Sequence, residues 1–99
     1  MVFSWFDARE AKEFGASLAR FYVAKNPSTV SNKTEKLVAK KQEELLENML
    51  QQVVRFKLQN KLNIYKKAQV GNSFKWTLKE AGYDHAFVDK LTSWLMHGL

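Results

Sequence analysis

The chain contains no cysteine, a single proline, four dispersed glycines and, between residues 48 and 79, no carboxylate. Without cysteine there is no disulfide framework, no thiolate nucleophile and no cysteine-ligated zinc or iron–sulfur centre. Gly15, Gly71, Gly82 and Gly98 stand too far apart for a dinucleotide fingerprint or a P-loop, whose clustered glycines let backbone amides approach phosphate. Long apolar runs are missing as well. Stretches such as Phe21 to Ala24 fall far short of the ~18 to 20 residues that a membrane-spanning helix needs, so no membrane partner is expected. The opening MVFSWFDARE has neither the cationic start nor the small-residue cleavage site of a secretory signal, and a cytoplasmic protein is the expectation.

What is present suits one soluble domain over residues 1–99: 45% apolar, 26% charged and 13% aromatic residues. A chain of this length buries roughly 60 to 68% of its unfolded surface, enough for one modest core. The net charge of +6 is unevenly spread. Residues 1–47 hold eight Lys/Arg against seven Asp/Glu, residues 48–79 hold seven against none, and residues 80–99 hold one against three. The middle stretch carries Arg55, Lys57, Lys61, Lys66, Lys67, Lys75 and Lys79 among Phe56, Tyr65, Phe74 and Trp76. Cations interleaved with aromatics are one footprint of nucleic-acid or acidic-partner binding. The plainer account is a solvated helix face whose aromatics point inward.

Hydrophobic spacing predicts an all-α fold, a small four-helix bundle. Ser4 with Asp7, or Asp7 with Glu10, offers a capping-box spacing for a first helix starting near residues 5 to 8. Its stripe is Phe6, Ala11, Phe14, Leu18 and Phe21 or Tyr22, and it ends near Lys25 because Pro27 disfavours a helical Asn26. Gly15 within it costs about 1 kcal/mol of helix propensity, which suggests a closely approaching partner helix. Ser31 or Asn32 then caps a long central helix over about 33–70, kinked near 57–60 and ending at Gly71, against whose first half the terminal helices pack. Ser73 caps a short helix with Phe74, Leu78 and Ala81, Gly82 ends it, and Asp84 caps a last helix with Phe87, Val88, Leu91, Trp94 and Leu95. A β-hairpin over residues 53–66 is the competing reading, since VVRFKL alternates, although Gln59-Asn60 lacks the turn glycine.

The central helix carries adjacent apolar pairs, Leu45/Leu46, Met49/Leu50 and Val53/Val54, which cover about half its circumference. Beyond Phe56 a straight helix would rotate its stripe to Leu58, Leu62 and Tyr65. Both features ask for more partner surface than the other helices supply. Self-association as a homodimer through Leu45, Met49, Leu50, Val54, Leu58, Leu62 and Tyr65 is therefore expected.

Candidate chemistry is sparse. Gly15, Ser17 and Ala19 faintly echo a nucleophile elbow but lie in a predicted helix, where a small-residue packing patch is the simpler account. His85 with Asp89 supplies two ligands where a metal wants three or four, and His97 lies twelve residues beyond His85, too far to complete the set. Glu43, Glu44 and Glu47 beside Lys40 and Lys41 form the pattern of a solvated, ion-paired helix face. The Phe74 to Met96 segment has the outline of a helix-turn-helix. It sets Leu78 where a small residue belongs, and its second helix offers Asp84 and Asp89 to phosphates, so an ordinary helical hairpin is expected. The aromatic ends, Phe3, Trp5 and Phe6, and Trp94 to Met96, read as core.

The expectation is a non-enzymatic helical protein acting through protein–protein contacts, with no metal and no cofactor. Non-sequence-specific binding of nucleic acid or an acidic polymer through residues 55–79 is the alternative. It requires the seven cations to share one surface, which a straight helix does not give, since Lys57 and Lys61 face away from Arg55 and Lys66.

Overall fold

The first helix, α1 (Arg9–Lys25), buries Ala11, Gly15, Leu18, Ala19 and Tyr22 and leaves Arg9, Lys12, Glu13 and Arg20 in solvent. This is the three-and-four spacing of an amphipathic helix. It stops at Lys25, as the following Asn26-Pro27 pair requires. The computed structural model describes residues 8–26 and 35–99, so Phe3, Ser4, Trp5, Phe6 and Asp7, and the caps expected at Ser31 or Asn32, lie outside the described residues. Three more helices follow: α2 (Glu35–Gln59), α3 (Ile64–Glu80) and α4 (His85–Gly98). The fold is all-α, and there is no strand among the described residues. Residues 53–59 are helical, which removes the hairpin alternative.

Four helices form among the described residues, but one boundary differs from the expected one. The central helix does not run unbroken to Gly71: it ends at Gln59, and α3 runs from Ile64 through Gly71 to Glu80. Gly71 is an interior helix position where α4 crosses, since a Cβ there would meet Met96 Sδ at 2.5 Å. Its missing side chain answers packing rather than helix termination. Ser73 likewise caps nothing, and its hydroxyl donates to the Lys12 carbonyl of α1 at 2.6 Å. The glycine that does end a helix is Gly82, at φ +95 in the turn between α3 and α4. Two residues later Asp84 caps α4 by accepting from the Phe87 amide at 3.3 Å. Phe74 and Leu78 of α3 and Val88 and Leu95 of α4 are fully buried, so this pair is the expected hairpin closing the core.

The terminal helices lie chiefly against α3 and touch the first half of the central helix more sparingly, at Tyr22–Gln42 and at Gly98–Leu50. α1 approaches α3 most closely, and α4 also lies against α3. The reason is backbone proximity at Gly15, where a Cβ would collide with the Val70 carbonyl oxygen. Only glycine lets the two helices come so near. Phe14, one residue away, stacks on Phe56 of α2 with ring centroids 4.1 Å apart. α2 contributes Leu45, Met49 and Val53 to the core, while Leu46 and Leu50 are half-buried and Val54 is exposed. Its wide apolar face thus resolves into a buried seam with one covered shoulder. At the far end of the molecule Tyr22, Tyr83 and Phe87 form an aromatic cluster. There the Gln42 amide donates to the Tyr22 hydroxyl at 2.7 Å, and the buried Asn26 amide donates to the Tyr83 hydroxyl at 3.0 Å.

Two stability measurements check this packing. In an open helix Gly→Ala stabilises by about 1 kcal/mol, but at Gly15 the added methyl must push α1 off α3, so Gly15→Ala is expected to cost about 1 to 3 kcal/mol. A urea midpoint equal to or above that of the parent would refute the close crossing. The second concerns pH. Burial raises the Tyr22 phenol above its ordinary 10.0, the Gln42 hydrogen bond partly offsetting this and Tyr83 adding to it. The unfolded chain then loses that proton first, so the contribution of Tyr22 is complete below about pH 10 and declines as pH rises through the folded value. Melting temperatures measured upward from about pH 8 should fall more steeply in the parent than in Tyr22→Phe above about pH 10. Parallel curves would count against it.

Candidate functional site

The corner between α2 and α3 is built by two asparagines. Asn60 turns its side-chain amide back onto the Phe56 carbonyl at 3.1 Å, alongside its own backbone amide at 2.9 Å, and so closes α2. Asn63 is extended, with φ −98 and ψ 176, and its side-chain oxygen accepts from the Lys66 amide at 2.8 Å, which opens α3. Between them the half-buried Leu62 packs on the core and anchors the connection, while Lys61 stays exposed.

This break changes the arrangement of the basic residues. Lys57, Lys61 and Lys67 line one open groove of about 690 Å³, with Leu58 and Leu62 also in its lining. Lys61 and Lys66 also border a second cleft of about 440 Å³, which Arg9, Glu10 and Glu13 of α1 share. Four of the seven cations singled out in the sequence therefore meet at the corner, and three do not. Arg55 borders neither recess and lies about 200° around α2 from Lys57. Lys75 sits 3.8 Å from Asp89 of α4, and the Lys79 ammonium lies over the Trp76 ring, 5.4 Å from its centroid. Lys57 has a further role, donating to the Gly98 carbonyl at 3.2 Å, where a cation favours the end of a helix.

The apolar residues expected to mediate self-association divide in the same way. Leu45 and Met49 are core residues and take no part in any outer surface. Leu50 is half-buried, with its side chain against Gly98, and Leu62 packs on the core. Val54, Leu58 and Tyr65 remain on the outside. Leu58 is 82% exposed and Ile64, just beyond the break, is 85% exposed. Ile64 falls on none of the helical stripes read from the sequence, only on the alternation of the hairpin reading. Its signal is its place directly after a capping asparagine, where the first helical residue has no preceding turn to lie against.

The aromatics interleaved with the cations are mostly spent on packing. Phe56 is stacked on Phe14 and Phe74 is fully buried, whereas Tyr65 and Trp76 reach the surface. His85 and His97 are both exposed, and Asp89 faces Lys75. Among the described residues no three His, Asp or Glu side chains gather closely enough to hold a metal ion. Glu43, Glu44 and Glu47 lie with Lys40 and Lys41 on the solvated side of α2. No helix of the described residues is long and apolar enough to cross a membrane. No family model, no curated protein and no solved structure matches this chain.

The corner depends on the Asn63 cap. Asn63→Ala is expected to lower stability by about 1 kcal/mol, whereas Asn63→Asp, which keeps the acceptor and adds a charge favourable to a helix N-terminus, should retain it. Denaturant midpoints distinguish these cases, and equal loss in both variants would remove the capping explanation.

Proposed function

We propose that the protein is a non-catalytic helical interaction module that binds another polypeptide at the α2–α3 corner. The observation that carries the reading is the exposure of Leu58 and Ile64 on either side of the break, both above four-fifths. Large aliphatic side chains held this far out contribute nothing to the core and gain by being covered. Val54 lies one helical turn before Leu58 on the same side of α2 and widens the apolar surface.

Binding of nucleic acid is the second reading, favoured by the lysines that the bend brings around one groove. Phosphate contacts would use those lysines, but single-stranded binding also draws on exposed aromatic faces. Two of the four aromatics in the basic stretch are buried or stacked inside. Leu58 and Ile64 would add nothing to a phosphate contact. A homodimer through the same corner would bring Lys57, Lys61 and Lys67 of both copies together, a repulsion that a different partner avoids.

A photo-crosslinking residue at position 58, compared with one at the exposed Arg20 on α1, which borders neither recess, tests the reading in cells that make the protein. Discrete protein adducts specific to position 58 are expected. Nuclease-sensitive adducts, or the same pattern from both positions, would overturn it, and an adduct of twice the chain mass would identify the partner as a second copy.

A further inference from the structure

The groove beside the corner has a chemistry of its own, and it narrows the class of partner. Among the described residues Lys57, Lys61 and Lys67 line it beside Leu58, Leu62 and Leu99, and no Asp or Glu side chain does. The absence of acid extends along the chain, since residues 48–79 contain none. A partner seated here meets lysine ammonium groups and aliphatic surface side by side. The second cleft differs, because Glu10 and Glu13 there stand opposite Arg9, Lys61 and Lys66. That balance of charge selects no particular sign of ligand.

Resting on the reading of the protein as an interaction module, we infer that the Lys57–Lys61–Lys67 groove takes an acidic peptide segment with large apolar side chains. The carboxylates meet the lysines, and a leucine or phenylalanine covers Leu58 and Leu62. Charge complementarity favours this occupant over the others. A second copy would present the same cations, and the acidic positions of α2, Glu43, Glu44 and Glu47, are interspersed with Lys40 and Lys41. Nucleic acid would satisfy the lysines and leave Leu58 in water. An acidic amphipathic segment uses both parts at once, the apolar contact giving affinity and the lysines giving selectivity and a fast encounter.

The test is fluorescence anisotropy with four labelled probes. The first is a peptide of about 15 residues alternating Glu with Leu and Phe, the second replaces its Leu and Phe by Ser, the third replaces its Glu by Gln, and the fourth is random single-stranded DNA of about 20 nucleotides. The first peptide is expected to bind at least about tenfold more tightly than the other three at about 50 mM salt, and more weakly at about 300 mM. Leu58→Ser should remove its advantage over the serine peptide, and Lys61→Glu with Lys67→Glu should weaken it by about tenfold or more. Leu58 and Lys61 are exposed, and an unchanged helical circular-dichroism spectrum and melting temperature show that each variant is folded. Equal binding of the serine peptide, DNA binding as tight as the first peptide and indifferent to Leu58→Ser, or no binding of the first peptide at about 100 μM protein would each overturn the inference. If position 58 still crosslinks to a polypeptide while the acidic peptide does not bind, the interaction module stands and its acidic partner does not.

Discussion

The arrangement of this protein depends on one contact between two backbones, Gly15 of α1 against the Val70 carbonyl of α3. Helix axes ordinarily keep a distance set by the side chains between them, and a residue without Cβ removes that spacer. Here the approach is near enough for the Ser73 hydroxyl to reach the Lys12 carbonyl across the interface. Ala11 and Ala19, one turn to either side of Gly15, are both buried and keep the crossing narrow over the middle of α1. On another side of α3 the same economy of volume recurs, with Met96 of α4 lying where a Gly71 side chain would stand. α3 is thus gripped by both neighbours at adjacent positions, Val70 and Gly71, and α2 is laid over this three-helix unit mainly through side chains.

This accounts for what could and could not be read from the sequence. The end of α1 at Lys25 and the caps at Asp84 and Gly82 follow from local chemistry: a following proline, a carboxylate within reach of an amide, and a positive φ. Such signals act over three or four residues and need no knowledge of the fold. Gly71 carries the same local signal as Gly82 but answers a distant cause, the thioether of Met96, so its reading as a helix stop fails. Asn60 and Asn63 form the actual break, beside the kink expected near 57–60. Their message was ambiguous because asparagine is tolerated inside helices as well as at their ends, and only the bonds it makes decide between the two.

The candidate site was legible in part for the same reason. The excess of positive charge over residues 48–79 is a property of composition, whereas its convergence depends on the turn. On a straight helix Lys57 and Lys67 would be ten residues and about 15 Å apart along the axis. With the chain bent at 60–63 they border one groove. The wide apolar face at 45–54 was visible in the sequence, but its division was not: Leu45, Met49 and Val53 go inward, and Val54 alone of the three pairs is left outside. Adjacent residues differ by about 100° around the axis, so a modest rotation of α2 decides which member of each pair is covered.

The bond from Lys57 to the Gly98 carbonyl sets this lysine apart from its neighbours in the groove. An ammonium group has three protons to donate, and the carbonyl takes one, leaving two for whatever lies in the groove. A free lysine gives up several rotatable bonds' worth of entropy when it meets an anion, but one already tethered at its tip has surrendered much of that in folding. Lys57 is therefore a charge tied to the end of α4, whereas Lys61 is exposed, so the two cations on the same groove differ in how much freedom each has left to lose.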